Sequence, residues 1–262
     1  MAGGINVKIK GENGIIIADV VIPDSFADVK LSQYIDFTTA ASRIGEDGTN
    51  PIVQMAIAVS EFCGVNLHEM LRANVGDLYG EIDELDGSLR TIFGWISKMC
   101  LDFKPAVMEP GSASFKYQGQ KFNIPVIVQG ALAGLPILPN VSVVDAVEAF
   151  ETQRLSQKSI DETGDENGSF LFSYYLRMLA IIARKDGELL PTDENERERF
   201  LNERQTFFRD IDAATALNVD FFLFNTLGHY GGMNHVFGSL MLQNLKVGVG
   251  MLKVKLPRGR RQ

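Results

Sequence analysis

The side chains best suited to chemistry are three histidines, two cysteines and one dense run of carboxylates. His229 and His235 stand six apart in Gly-His-Tyr-Gly-Gly-Met-Asn-His. A Gly-rich backbone can fold both imidazoles onto one metal ion. No carboxylate occurs in that stretch to complete a ligand set or to orient a ring, so the pair reads as two surface or interface histidines. Cys63 and Cys100 lie in Glu-Phe-Cys-Gly and Lys-Met-Cys-Leu, without Cys-x-x-Cys spacing. They read as reduced core thiols, not zinc ligands. Asp161, Glu162, Asp165 and Glu166 lead into Asn167-Gly168 and invite a calcium reading. An EF-hand loop around that glycine needs Asp first and Glu twelfth, and those places hold Thr163 and Tyr174. Neither a phosphate-binding Gly-x-x-x-x-Gly-Lys-Ser/Thr nor a Gly-x-Ser-x-Gly elbow occurs. The expectation is a protein that is not an enzyme and holds no cofactor and no metal. The enzymatic alternative is a small hydrolase or nuclease that assembles His229 or His235 with a distant carboxylate.

Residues suited to binding are concentrated at the C-terminal end. Phe221, Phe222 and Phe224 close an apolar segment, and Gly-rich sequence holding Tyr230, Met233 and Phe237 follows at once. Core packing explains the phenylalanines, while apolar side chains on a Gly-rich backbone also suit a subunit interface. After Asp220 the chain has no Asp or Glu, but it carries Lys246, Lys253, Lys255, Arg258, Arg260 and Arg261. That +6 against a net charge of −8 leaves −14 for residues 1–220. Such asymmetry predicts two surfaces with different partners. The basic tail can contact phosphates, but it lacks the interleaved aromatics of single-strand binders. A solvated tail or docking on an acidic protein is the preferred reading, and nucleic acid is the alternative.

The elements that must position these residues follow from periodicity. Val7 and Ile9 alternate with Lys8 and Lys10, Gly11-Glu-Asn-Gly14 is turn chemistry, and residues 15–22 form a β-branched run ended by Pro23. A helix follows from about Leu31. Pro51 starts a second helix to Cys63, apolar nearly all round and expected to be buried. One or two helices follow over residues 75–99. Phe115 and Tyr117, a turn at Gln118-Gly119, then Phe122 and Ile124 predict a second hairpin, and residues 141–155 a helix behind it. Further helices are predicted over residues 170–184, from a cap at Thr192 or Asp193 to about Asp210, and over 213–227. Residues 247–256 alternate weakly, as a strand would.

These elements predict an α+β fold, mainly helical, with two hairpin-plus-helix units and a helical C-terminal region. The predicted domains are residues 1–104, 105–158 and 159–262, the last with the Gly-rich, basic tail. At 262 residues, with 45% hydrophobic and 22% charged side chains, the chain can bury a sizeable core. It shows no leader-like N-terminus, and polar residues interrupt its longest apolar region, so no membrane contact is expected.

Three segments resemble a known group when read together. They are Ile22-Pro-Asp-Ser-Phe-Ala-Asp-Val-Lys-Leu-Ser-Gln-Tyr-Ile-Asp-Phe37, Phe115-Lys-Tyr-Gln-Gly-Gln-Lys-Phe-Asn-Ile-Pro125, and Tyr174-Tyr-Leu-Arg-Met-Leu-Ala180 with Ala216-Leu-Asn-Val-Asp-Phe-Phe-Leu223 beyond the charged helix. Their order resembles small bacteriophage tail proteins, including T4-type baseplate hub assembly proteins and tail assembly chaperone-like proteins. Such proteins carry Trp where this chain has Phe26, and Thr where it has Lys30. The resemblance covers about half the chain, in pieces, and carries no catalytic residue. It implies a role in building a phage tail or baseplate, as a resident part of the virion or as a transient helper, made in the host cytoplasm; the resident structural component is the preferred reading. It would be present in several copies and act through contacts with other tail proteins. The alternative is an assembly chaperone absent from the finished particle.

Overall fold

The computed structural model describes residues 3–11, 14–44, 48–73, 92–106, 108, 113–124, 128–129, 136–137 and 168–227. Strands β1 (Gly4–Lys10) and β2 (Ile16–Pro23) open the chain, followed by a short 3-10 turn, Phe26–Asp28. Helices α1 (Leu31–Ser42), α2 (Pro51–Cys63), α3 (Leu67–Met70) and α4 (Ile92–Asp102) come next. Strands β3 (Ser114–Tyr117), β4 (Gln120–Asn123), β5 (Val128–Gln129) and β6 (Pro136–Ile137) precede α5 (Gly168–Ile182), α6 (Glu194–Phe208) and α7 (Ala213–Leu227). Among the described residues the strands pair only as antiparallel two-stranded sheets, β1–β2, β3–β4 and β5–β6. The fold is α+β and mainly helical.

Two compact units divide the chain. The first holds the described residues up to Asp24 and those of Asp36–Phe103. The second holds Ser25–Ile35 and the described residues from Lys104 to Leu227. The division falls inside α1.

In the first unit the period of two decides which face of the hairpin is buried. Val7 pairs with Val20 and Ile5 with Ile22, and Val7, Ile9, Val20 and Ile22 are buried. Lys8 and Asp19 pair on the exposed face. Asn50 caps α2 by accepting the Ile52 N–H at 3.0 Å, and Pro51 fills the first helical position, where its missing donor costs nothing. Gly64 ends the helix at φ +65°, a left-handed conformation that glycine adopts without steric strain. Asn66 then caps α3 through the His68 N–H at 2.9 Å. Phe37 of α1 packs against Phe62 of α2 and Phe93 of α4, with ring centroids 5.8 and 5.6 Å apart. The α2 helix is not buried all round. Ala56, Ala58, Val59 and Phe62 face the core, whereas Ile52 and Val53 in its first turn are exposed. Periodicity could not separate the two faces, because apolar residues occupy both.

In the second unit the β3–β4 hairpin turns through Gln118 and Gly119, at φ +48° and +74°. Both positive values match the twist of the flanking strands. Phe115 and Phe122 pair across the strands on the buried face, stacked at 5.4 Å, while Lys116 and Lys121 pair on the exposed face. Like charges so placed oppose pairing, so the aromatic face must hold the hairpin. Asp193 caps α6 by accepting the Glu196 N–H at 3.0 Å. Leu201 and Phe208 are fully buried, and Phe207 packs edge-on against Tyr117 at 5.3 Å. Helix α7 is joined to the 3-10 turn through the Ala213 N–H, which donates to Val29 O at 2.7 Å. The predicted helix over residues 141–155 and the strand over 247–256 lie outside the described residues, as does most of the helical stretch predicted at 75–99.

Candidate contact surfaces

Cys63 near the end of α2 and Cys100 on α4 are both held as thiols, with burial pushing each pKa up to about 12. A thiolate is the nucleophilic and metal-binding form, so neither sulfur is prepared for reaction. His68 lies exposed on α3. Among the described residues no group of His, Cys, Asp and Glu is placed to hold a metal ion, and no helix is long and apolar enough to cross a membrane. His229, His235 and the acidic stretch 161–166 lie outside the described residues.

One perturbed carboxylate emerged that spacing did not announce. Asp36 on α1 is half-buried, and burial raises its pKa, with the negative charge of Glu61 on α2 adding to the effect. The two residues stand 25 positions apart on different helices, so only the packing of α1 against α2 brings them together.

The predicted contact residues are largely beyond the description. Phe221 sits on α7, half-buried. Phe222 and Phe224 belong to the same helix, but their side chains are not described. Tyr230, Met233, Phe237, Lys253, Lys255, Arg258, Arg260 and Arg261 lie outside the described residues.

The structure instead displays other apolar side chains. In the first unit Ile15 and Ile16 are exposed at the start of β2, Val21 on its outer face, Ile52 and Val53 on α2, and Leu67 and Leu71 at α3. In the second unit Leu189 is 73% exposed. It lies in the α5–α6 connection, whose backbone is tied at several points. Asn123 of β4 and Arg184 exchange both backbone hydrogen bonds, at 2.7 and 3.0 Å. The Lys185 N–H donates to Glu188 Oε2 at 2.9 Å, and Gly187 takes φ +73° between them.

Glu188 also forms an ion pair with Arg204 of α6. Arg204 is 7% exposed. Its guanidinium lies 5.0 Å from the Phe122 ring centre, 5.2 Å from Phe200 and 5.8 Å from Phe208. Arg184, also buried, stands 5.8 Å from Phe200 and donates through Nη1 to Ala180 O at 2.7 Å. A guanidinium stays charged at any physiological pH, so this cluster can orient and brace but cannot shuttle protons. Sequence reading assigned Arg204 no role. The overlooked signal is Phe200, Arg204 and Phe208 at spacings of four, which puts the arginine on the aromatic stripe.

Compared with known proteins, the chain matches no protein family, no curated protein and no solved structure.

Proposed function

We propose that this chain is a non-enzymatic structural component of a bacteriophage tail or baseplate, acting through contacts with other proteins and present in several copies. The observation that carries the contact-making part is the composition of residues 221–262. Six cations, no carboxylate and a run of aromatic and methionine side chains follow a body of net charge −14. Apolar side chains supply affinity at such contacts, and a one-signed tail supplies orientation and association rate. Exposed isoleucines and leucines on the first unit point the same way. The phage assignment draws on the resemblance of the three segments described above.

Mass spectrometry of purified phage particles that encode this chain tests the reading. The expected result is the intact chain in a fixed copy number per particle. Its absence from finished particles, with association to tail proteins during infection, would establish the assembly-chaperone alternative instead.

A further inference from the structure

We propose that the exposed face of the β3–β4 hairpin, centred on Lys116 and Lys121, holds two carboxylates of an acidic segment in a partner protein. The inference rests on the reading of a protein that works through contacts, and it names one surface and the chemistry that fits it. Between Glu109 and Asp145 the chain carries two charged residues, Lys116 and Lys121. The hairpin register sets them directly opposite each other, and both are exposed. Opposite positions in an antiparallel pair bring Cβ atoms to roughly 4.5–5.5 Å, where like charges weaken the strand pairing. A single lysine beside a neutral neighbour would guard the edge of a small sheet equally well. Two together on paired strands form a clamp for anions.

Among the described residues neither ammonium has an ion pair or a side-chain hydrogen bond. Ser114 and Asn123, paired with each other, lie two positions along on the same face. Asn123 donates through Nδ2 to Asp186 at 3.3 Å, and Lys185 stands beside that carboxylate in the chain. Asp210 and Asp212 act on Tyr117, whose ring lies on the other face against Phe207 and Phe208. Asp210 is held by Lys30 at 2.7 Å, and Asp212 accepts the Thr215 N–H at 2.6 Å at the start of α7.

The make-up of the face selects the class of partner. Ser114, Lys116, Lys121 and Asn123 offer no aromatic ring for a base and no apolar side chain for a lipid. Nucleic acid gains its affinity from many cations along the backbone and from stacked bases, and this face has neither. Two carboxylates match the lysines one for one. Alternate positions of an extended segment place them about 7 Å apart, a spacing that two mutually repelling ammoniums can adopt. Such contacts set orientation and partner choice more than affinity.

Amide chemical shifts of the isotope-labelled full-length protein, titrated with a hexaglutamate peptide at low salt, test this. Changes are expected at Lys116, Lys121 and their strand neighbours, and are expected to fade as salt is added. Lys121→Glu sets opposite charges across the strands, so it is expected to raise Tm by about 1–3 °C. The same variant is expected to weaken the peptide's effect on the hairpin roughly three- to tenfold. A stability gain joined to a binding loss marks a clamp, because a merely solvated pair would give the gain alone. Should that variant lose its fold, Lys116→Gln/Lys121→Gln makes the same binding test. A hairpin that hexaglutamate leaves unmoved, or variants that respond as the wild type does, would overturn the proposal. Hairpin changes produced by oligothymidylate but not by hexaglutamate would overturn it in favour of nucleic acid. Hairpin shifts that follow the protein's own concentration would overturn it in favour of a second copy. Only the purified chain is used, so failure here and failure of the tail assignment are read from separate experiments.

Discussion

Arg204 illustrates how one residue's environment sets its role. Removing its carboxylate partner leaves a buried cation facing three aromatic rings. Glu188→Gln is therefore expected to destabilise the protein by about 1–3 kcal/mol, measured by urea denaturation. The double variant Glu188→Leu/Arg204→Met is expected to recover most of that loss, because replacing both charges with apolar groups of similar size leaves none uncompensated. Equal stability of Glu188→Gln and wild type would show the ion pair to be idle. Phe208, fully buried in the same cluster, sets the packing scale: Phe208→Ala is expected to cost about 3–5 kcal/mol.

Asp36 carries the opposite kind of prediction. Its raised pKa means that the folded state prefers the protonated carboxyl, so ionisation weakens the fold as pH rises above the ordinary aspartate value. Asp36→Asn is expected to raise Tm at neutral pH, with the gain vanishing in acid, where both states of the wild type are protonated. Glu198 and Asp210 run the other way. Hydrogen bonds from Arg177 and Lys30, respectively, hold their carboxyls below the ordinary values. Their contribution is present at neutral pH and is lost as pH falls through the lowered values. The Arg177–Glu198 contact is two-pronged, at 2.9 and 2.8 Å, but Glu198 is largely exposed, so Glu198→Gln should cost no more than about 1 kcal/mol.

At the scale of elements, stability resides in ends and turns as well as in cores. Asp193 is the sole side-chain cap shown for α6, a helix whose surface is otherwise densely charged. Asp193→Ala is expected to cost about 1 kcal/mol, read as a lower urea midpoint with an unchanged slope. A raised slope would mean the substitution had changed the unfolded state instead. The β3–β4 turn holds a glutamine at positive φ, where asparagine is better tolerated. Gln118→Asn is thus expected to stabilise the hairpin by roughly 0.5 kcal/mol, detected as slower amide exchange in β3 and β4. Slower exchange that extended only to α5 would place the effect elsewhere.

At the scale of the whole molecule, the separation of charge along the chain dominates. An acid-free, basic C-terminal stretch following an acidic body would make the proposed association salt-sensitive. Deleting residues 253–262 is expected to weaken incorporation into particles most at low salt, and to flatten its salt dependence. Incorporation that remained unchanged by the deletion at every ionic strength would remove the tail from the proposed contacts.

Local rules sufficed for most of the described elements. Pro51 and Gly64 bound α2, alternation set the buried face of β1 and β2, and Gln118-Gly119 marked the second turn, because caps, turns and periodic faces depend on residues within a few positions of one another. Charge asymmetry, too, is a property of the chain alone. Tertiary structure decided what depends on distant neighbours. It buried Arg204 under three phenylalanines and raised Asp36 beside Glu61. It left Ile52 and Val53 in solvent, although their helix reads as buried all round. A side chain's burial and charge state are set by what packs against it, and for these residues the packing partners come from elsewhere in the chain.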